Sequence, residues 1–392
     1  MLIDFTVGNY GPFKDDIILS LRATTDKDHA DNLVRTDDIK GDLLSSILIF
    51  GPNATGKTYI MKALSTLASI VRTTDTDGIS PRLYTPYRVS KENRESPIRF
   101  KIRLSLDGVD YEYRVEFKDT SITYESLYHS PNSRMAKVFE RIGPDTFVKA
   151  KKKIVGTVTS NVTYLAMASS YGDDICTKVR DAITNDFVFV DTDLQKLVQK
   201  ACICIADDPK KKERLVDAMK IIDLGITDIT IDMLQQGVDT PTSCDISLEH
   251  DFEDTEGCVF PLEIESNGTS YMLGILSSMI DALENGKVLL VDDLGTYLHP
   301  MVTRWIVKQF FGENNLHGAQ LIATTHDVGL MEIKELLRRD QIWFVDKDRS
   351  DGASELYSLS DFDGVRKDMD ILRRYLDGRF DAIPSIRHRK LL

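Results

Sequence analysis

Cysteine is scarce in this chain of 392 residues, and the five that occur follow no regular spacing. They lie at positions 176, 202, 204, 244 and 258. Five irregularly spaced cysteines are too few for a disulfide framework, and they match no zinc-knuckle pattern. Cys202 and Cys204 lie in an apolar run that favours a helix, so buried thiols are predicted there. This cysteine usage is typical of a reducing cytoplasm.

An excess of positive charge is also absent. The chain has 49 Lys and Arg against 62 Asp and Glu, a formal net charge of −13. This balance argues against a general nucleic-acid coat, although a local basic patch is compatible with it. No apolar run approaches the roughly 18 residues of a membrane span. The first residues lack the basic region and apolar core of a signal peptide. A cytoplasmic protein without membrane contact is therefore expected.

A glycine-rich loop is the most informative segment that the sequence does contain. It fits the pattern G-x-x-x-x-G-K-[ST], and it lies between the apolar run Ile47–Phe50 and the helix-like run Tyr59–Ile70. The order strand, glycine loop, helix is the context that makes such a match a phosphate site. Backbone N–H groups and the positive end of the helix would bind the phosphates. The predicted nucleotide-binding residues are Gly51, Pro52, Asn53, Ala54, Thr55, Gly56, Lys57 and Thr58.

Specific roles follow for the last two residues of this loop and for an acidic pair far downstream. Lys57 would reach the β- and γ-phosphates as a catalytic residue, and Thr58 would bind Mg²⁺, so ATP and Mg²⁺ are the expected cofactors. The buried-strand signal Val288–Val291 ends in Asp292 and Asp293. At that position Asp292 is the second predicted magnesium ligand, and Asp293 is the predicted catalytic base or water-positioning residue.

Three further segments complete an ordered set of motifs. They are the serine- and glycine-containing run 265–270, the loop 294–300 after the acidic pair, and the strand-like Ala323-Thr-Thr that ends in His326. This set resembles the ABC-type ATPase heads of the SMC, RecF and Rad50 group. It is most similar to the compact AAA family ATPases of prokaryotic anti-phage and abortive-infection systems (AbiLii-like, RloA-like). The opening segment 5–14 and the segments 340–348, 354–362 and 375–384 share the resemblance.

The resemblance implies roles for several of these residues. The signature loop would contact the γ-phosphate bound to a second protomer, so that nucleotide is sandwiched in a homodimer. His326 would be the switch histidine near the γ-phosphate, and the loop Gly295–Tyr297 would communicate across the dimer. The glutamine loop is expected around Glu125–Leu127. The signature loop would consist of Ser266, Asn267, Gly268 and Thr269.

The expected fold is a P-loop NTPase of the ABC-ATPase head type. A split mixed sheet flanked by helices would carry a short helical insertion. Residues 1–174 would form the N-terminal half of the head, with the P-loop and antiparallel strands. Residues 175–250 would form a mainly helical insertion or lid. Residues 251–392 would form the C-terminal half, with the signature loop, the acidic strand and the switch histidine.

The acidic pair departs from the family pattern, because such heads carry Asp-Glu where this chain has Asp292-Asp293. Aspartate is shorter by one methylene, roughly 1.5 Å of reach. A misplacement of about 1 Å at a catalytic group can cost on the order of 10²-fold in rate. Two interpretations follow. Asp293 is a slow base in an ATPase that holds ATP for long periods, or ATP mainly holds the dimer together.

The resulting functional hypothesis is a slowly hydrolysing ATPase that dimerises around nucleotide. It would sense or license a separate effector, a nuclease or toxin, in a prokaryotic anti-phage defence system. One alternative is a RecF-like DNA-maintenance ATPase, which would need a basic surface and salt-dependent DNA binding. The acidic charge weighs against it. The other is a nucleotide-gated scaffold with structural ATP, which ATP turnover would distinguish.

Overall fold

The computed structural model describes residues 1–34, 41–74, 78–131, 134–206, 208–222, 225–234, 243–252 and 255–384. Within these ranges the chain is mixed α/β, with two large sheets and helices packed against them. In the same ranges, no helix combines the length and the apolar character needed to cross a membrane.

The strands, in chain order, are β1 (Leu2–Gly8), β2 (Ile17–Ser20), β3 (Leu33–Val34), β4 (Leu43–Leu44), β5 (Ser46–Phe50), β6 (Ile98–Leu106), β7 (Val109–Lys118), β8 (Ser121–Ser130), β9 (Ala136–Ile142), β10 (Thr146–Val148), β11 (Phe187–Val190), β12 (Ile226–Leu234), β13 (Ser243–Phe252), β14 (Thr255–Pro261), β15 (Val288–Val291), β16 (Gln320–Thr324), β17 (Ile342–Lys347) and β18 (Ser354–Ser358). The helices are α1 (Lys57–Arg72), α2 (Lys91–Glu95), α3 (Lys152–Val155), α4 (Tyr164–Ser170), α5 (Asp174–Asn185), α6 (Leu194–Ala206), α7 (Pro209–Ile222), α8 (Asn267–Asn285), α9 (Pro300–Lys308) and α10 (Ile371–Leu376).

The central sheet has the order β11-β15-β16-β5-β17-β18. Its first five strands run parallel, and β18 pairs antiparallel with β17. Strands buried on both faces read as continuous apolar runs, as in Val288–Val291. In β5, Leu48 and Phe50 face one core, whereas Ile47 and Ile49 face the other. The sheet therefore separates two apolar cores, and its carboxyl edge is the place where polar loops converge.

A seven-stranded antiparallel sheet forms the N-terminal lobe, in the order β10-β9-β8-β7-β6-β1-β2. Strand β6 alternates buried and partly exposed residues along most of its length, as expected for a sheet with one face against a core. Its buried side chains share one apolar cluster with helix α1 and with β5 of the central sheet. This packing holds the P-loop strand and its helix between the two sheets. Both the split sheet and the antiparallel N-terminal strands agree with the expected fold.

The segment 175–250, predicted as a mainly helical insertion, is divided between the head and an inserted segment. Its first part, α5 and β11, belongs to the head, because β11 pairs with β15 in the central sheet. The inserted segment between β11 and α8 contains α6 and α7, followed by the three-stranded sheet β12-β13-β14. Within the predicted range 175–250, helical residues of α5, α6 and α7 outnumber strand residues among the residues that the structure describes. Helix α6 packs closely on α8, since a Cβ at Gly274 would lie 2.2 Å from Cγ of Leu197.

The prediction of free buried thiols is wrong for one cysteine of the pair. Cys202 is buried, but its sulfur is bonded to Cys244, which links α6 to β13 within the insertion. No local pattern indicates this bond, because the partners are 42 residues apart. The free cysteines are Cys204, which is partly buried, Cys258 and the fully buried Cys176.

Candidate functional site

Three neighbouring strands deliver the predicted site residues to one edge of the central sheet. The P-loop follows β5, the acidic pair Asp292 and Asp293 follows β15, and Thr325 and His326 follow β16. In the sheet these strands are adjacent, in the order β15-β16-β5, and parallel. Their carboxyl ends therefore meet at the same edge, where open α/β sheets bind ligands.

A cleft of about 680 Å³ opens at this edge. It brings together the P-loop, one residue of the acidic pair and the predicted switch histidine. It also includes residues from the N-terminal turn, from α1 and from the end of β17. The lining residues are Pro12, Asn53, Ala54, Gly56, Lys57, Thr58, Tyr59, Lys62, Asp293, His326 and Lys347.

The backbone of the loop takes conformations that its glycines permit. Gly51 has φ +152°, and a Cβ there would lie 2.3 Å from the carbonyl oxygen of Val345. Gly56, with φ +109°, occupies the N-cap position of α1, where no side chain caps the first turn. No capping side chain binds the N–H groups of that turn. They are therefore available to an anion in the cleft.

The side chain of Lys57 folds back onto the start of the P-loop. Its Nζ donates hydrogen bonds to the carbonyl oxygens of Gly51 and Pro52, each at 2.9 Å. Burial lowers the pKa of Lys57, and the charges of Asp293 and Asp292 only partly offset that effect. The ammonium is thus held over the loop by two neutral acceptors, and a phosphate oxygen would replace them with a charge-assisted bond.

The acidic pair is held by Thr324, the last residue of the neighbouring strand. Its Oγ1 donates to Oδ1 of Asp292 at 2.6 Å and accepts the backbone N–H of Asp293 at 2.8 Å. Asp293 has φ +54°, a left-handed conformation that is rare outside glycine. Such backbone strain clusters at functional positions. One hydroxyl therefore fixes both the Asp292 carboxylate and the backbone from which Asp293 projects.

The residues predicted to bind magnesium fit that ion chemically. Thr58 supplies a hydroxyl in the cleft, and Asp292 supplies a carboxylate with one oxygen bound only to Thr324 Oγ1. Magnesium is usually bound through one or two carboxylates together with substrate phosphates and water, without an all-protein cage. The described residues contain no group of three or more His, Cys, Asp or Glu side chains that could hold a metal by themselves.

His326 faces Asp293 across the cleft. Its Nε2 lies 3.8 Å from Oδ1 of Asp293, and both side chains are about half exposed. Burial and the charge of Lys57 lower the pKa of His326, while Asp293 and Asp292 act against this shift. The imidazole is therefore neutral at pH 7, and it can donate or accept one hydrogen bond without carrying charge.

The predicted signature loop lies apart from this cleft. Ser266 caps α8, accepting the N–H of Thr269 at 3.0 Å. None of the loop's four residues lines the cleft that contains Lys57. The loop packs instead against the segment after the acidic strand, since a Cβ at Gly268 would lie 3.1 Å from the carbonyl oxygen of Tyr297. Its role stays a prediction.

The region expected to contain the glutamine loop has another place in the structure. Glu125 is fully buried in the N-terminal lobe, where its carboxylate accepts the backbone N–H groups of Tyr164 and Leu165. It also accepts the hydroxyl of Tyr113, and Arg141 lies 4.0 Å away. Glu125 thus anchors the start of α4, and the expectation of a nucleotide contact there is not met.

Several residues of the site escaped the sequence argument. Lys347 and Pro12 have no individual role in the sequence argument, but both line the cleft. Tyr59 and Lys62 lie on α1, with the Lys62 ammonium 5.0 Å from the Tyr59 ring centre. The sheet-edge rule could have identified Lys347, because it ends a strand next to β5.

Comparison with known proteins gives one family match and a set of distant folds. A family model described as "AAA domain, putative AbiEii toxin, Type IV TA system" matches residues 46–332. No curated protein matches the chain significantly.

Three similar solved structures are SMC heads. The SMC head domain from Thermotoga maritima is 13% identical, covers 91% of this chain and 98% of its own, and has a TM-score of 0.45. An SMC head bound to the C-winged helix domain of ScpA has 12% identity, coverages of 91% and 97%, and a TM-score of 0.46. An Smc head with an extended coiled coil, bound to the C-terminal domain of ScpA and derived from Pyrococcus furiosus, has 9% identity, coverages of 91% and 96%, and a TM-score of 0.45. Similarity at this level carries no functional information.

Proposed function

Because the chain belongs to the AAA-domain family associated with AbiEii toxins and type IV toxin–antitoxin systems, we propose that it is a slow ATPase that dimerises around ATP and regulates a separate effector. The family match agrees with the resemblance to abortive-infection ATPases drawn from the motifs. The family is that of P-loop ATPases. The roles proposed below for single residues start from ATP binding and hydrolysis by that family.

One observation carries the proposal. Lys57, Asp293 and His326 come from three different loops, more than 230 residues apart at the extremes, yet all three line the same cleft. A glycine loop that matched by chance would have no reason to face an acidic residue and a histidine. The cleft contains a phosphate cradle, a carboxylate and a neutral imidazole, the groups that phosphoryl transfer to water uses.

Each side chain has a task that suits its environment. Lys57 exchanges its two carbonyl acceptors for oxygens of the β- and γ-phosphates. Asp293 orients the attacking water and takes its proton, and neutral His326 hydrogen-bonds at the γ-phosphate. Thr58 and Asp292 would hold Mg²⁺, which neutralises the charge of the phosphates when bound. Positioning and electrostatic stabilisation supply nearly all of such catalysis.

Slow turnover follows from the length of Asp293. An aspartate in place of the family's glutamate sets the carboxylate roughly 1.5 Å farther from the water. Its backbone φ of +54° and the bond from its N–H to Thr324 restrict how far the backbone can move to compensate. A base held short of its water still works, but at a rate lower by about 10²-fold.

Dimerisation is proposed from the position of the signature helix. The N-terminal end of α8 carries a positive partial charge and lies outside the head's own cleft. Two exposed apolar residues lie beside it: Ile264, just before the cap in the chain, and Tyr297, whose carbonyl oxygen approaches Gly268. A second copy that placed its P-loop opposite this end would bring its γ-phosphate to Ser266 and bury these side chains. Hydrolysis would then require two heads.

A separate effector, a nuclease or toxin, is proposed from the resemblance to abortive-infection ATPases, in which the ATPase senses or licenses and a partner acts. The family description names a putative AbiEii toxin of a type IV toxin–antitoxin system, which is a setting of two components. Defence against phage is the setting in which such a regulator would act.

The experiment that tests the core of the proposal measures ATP binding and single-turnover hydrolysis by the purified chain. The wild type is expected to bind ATP and to release ADP slowly. Lys57→Ala should abolish both, whereas Lys308→Ala, on the opposite end of α9 from the site, should change neither. A wild type that binds no nucleotide, or a Lys57→Ala protein that hydrolyses ATP normally, would overturn the assignment.

The partner claims need a separate measurement. Sedimentation of Asp293→Asn with ATP is expected to give a dimer, because the nucleotide persists in the site. Adding Ser266→Arg to that variant should return it to monomer. Affinity purification from the native host with and without ATP would then show whether an effector is retained. Identical sedimentation and no nucleotide-dependent partner would contradict the regulatory model.

A further inference from the structure

Helix α8 contains a tyrosine whose hydroxyl is buried and without a partner. Tyr271 is 4% exposed, and its hydroxyl makes no hydrogen bond to any residue that the structure describes. Buried polar groups are nearly always paired, so an orphaned hydroxyl calls for an explanation such as a catalytic role or an absent ligand. The question is what this hydroxyl binds when the protein works.

The surroundings of Tyr271 point to the acidic pair. Its ring lies 5.3 Å, centre to centre, from the ring of Tyr297, in the loop that follows Asp293. In that loop Thr296 returns a hydrogen bond of 2.8 Å to the carbonyl oxygen of Asp293. Tyr271 therefore packs on the short loop that leaves the acidic strand.

The electrostatic surroundings of Tyr271 also indicate that it is close to the acidic pair. Burial raises the pKa of Tyr271, and the charge of Asp293, followed by that of Asp292, raises it further. The hydroxyl of Tyr271 therefore keeps its proton at any physiological pH. The charges of the two carboxylates act on it. A protonated phenol near a carboxylate is a hydrogen-bond donor, and a donor of this kind fixes the carboxylate's direction.

We propose that Tyr271 is a positioning residue for ATP hydrolysis, whose hydroxyl donates to the carboxylate of Asp293, directly or across one water, once nucleotide fills the cleft. The inference rests on the ATPase activity proposed above. It explains how a short aspartate is kept aimed at the attacking water. The bond would also connect α8 to Asp293 of the same protomer, because Tyr271 lies on α8 five residues after the Ser266 cap.

The matched control is Ser277, on the same helix. Its hydroxyl is likewise buried and has no partner among the described residues, and it is 3% exposed. Six positions further along an α-helix place it on a different side, about 240° around the axis. Nothing in its environment links it to Asp293. Tyr271→Phe and Ser277→Ala each delete one orphaned buried hydroxyl, and only the first deletes the proposed donor.

The test measures three quantities for wild type, Tyr271→Phe and Ser277→Ala. They are the melting temperature without nucleotide, the Kd for ATP and the turnover number. Deleting an unpaired buried hydroxyl leaves a fold equally stable or more so. Tyr271→Phe should therefore melt at the same or a higher temperature and bind ATP with an unchanged Kd. Its turnover number should fall about tenfold, the usual effect of removing a residue that orients a catalytic group. Ser277→Ala should match it in melting temperature and keep full turnover.

Three results would contradict the proposed role of Tyr271, and each can be told from the others. If wild type turns over ATP and Tyr271→Phe does so at the same rate, the inference fails and the ATPase proposal stands. If Tyr271→Phe lowers the melting temperature and Ser277→Ala slows turnover equally, both hydroxyls are structural and the inference also fails. A wild type that hydrolyses no ATP overturns the proposed function and the inference with it.

Discussion

Nε2 of His326 lies 3.8 Å from Oδ1 of Asp293, across a cleft that Lys57 also lines. The gap is longer than an ordinary hydrogen bond, and it is too short for a water to lie between the two atoms. Burial and Lys57 lower the pKa of the histidine, so the pair is a neutral imidazole facing a carboxylate. This arrangement places both side chains side by side on the wall of the cleft, where a water and a phosphate oxygen could bind next to them.

Replacing Asp293 by asparagine is the first test of that arrangement. Asp293→Asn keeps the size of the side chain but cannot take a proton from water. ATP binding should be unchanged, and the single-turnover rate should fall about 10²-fold or more, the range typical of a lost general base. The exposed Asp363→Asn serves as a control with full activity. An unaltered rate in Asp293→Asn would assign the chemistry to another residue.

The hydroxyl of Thr324 should matter as much as the Asp292 carboxylate that it binds. Thr324→Val keeps the shape but leaves Oδ1 of Asp292 without its donor, so magnesium-dependent ATP binding and turnover should both drop. Loss of a hydrogen bond to a charged group costs about 2 kcal/mol in stability. Thr324→Ser restores the hydroxyl and should restore activity. Equal behaviour of the serine and valine variants would mean that the hydroxyl is dispensable. Urea unfolding and ATP titration provide the measurements.

Gly51 should tolerate no side chain. Gly51→Ala would force a Cβ to 2.3 Å from the carbonyl oxygen of Val345 at a φ of +152°. The expected loss is about 3 kcal/mol in the free energy of unfolding, together with loss of ATP binding. Gly143→Ala has a φ of +66° but open space around the Cβ, and should cost only about 1 kcal/mol. Similar stability losses for the two variants would contradict the close approach at the P-loop.

Because Asp281 is ion-paired, the folded protein should lose part of its stability in acid. It binds Lys287 at 2.9 Å and Lys211 of the insertion at 3.3 Å. Burial acts to raise its pKa, but the bonds and charges of these two lysines prevail and hold the pKa of Asp281 below its usual value. The stabilisation is then complete above the unfolded-state pKa of about 3.9, and it is lost as pH falls through the lower folded-state pKa.

Urea unfolding of wild type and Asp281→Asn at several pH values measures this contribution. The difference should be about 1 kcal/mol at neutral pH and should vanish in strong acid. Asp28→Asn, which breaks the more exposed pair with Lys367, should change stability by less than about 0.5 kcal/mol. A difference for Asp281→Asn that persists unchanged in acid would rule out the ion pairs as its source.

The sequence indicates which residues lie at one edge of the sheet better than it indicates the lobes around them. Lys57, Asp292 and His326 each follow a short apolar strand, and parallel strands bring such positions to one edge whatever the rest of the chain does. The start of the insertion was placed before β11, although β11 pairs with a strand of the head about 100 residues away. That pairing has no local signature.

Tyr271 and Thr324 show a second limit. Tyr271 lies in the uniformly buried stretch Tyr271–Ser277 of α8, so no polar-apolar pattern separates its hydroxyl from the core. Thr324 is one of two consecutive threonines, and the contact with Asp292 depends on the neighbouring register of β15 and β16. Such roles are set by tertiary neighbours, which a single sequence does not give.

The most direct test of the central claim is the rate of ATP hydrolysis per protomer, measured over a wide range of protein concentration with sedimentation of the same samples. A site completed by Ser266 of a second copy predicts slow hydrolysis whose rate per protomer rises with the dimer fraction and then levels off. Hydrolysis at a constant rate per protomer in samples that sediment as monomers would contradict the account. So would a dimer, saturated with ATP, that hydrolyses none of it.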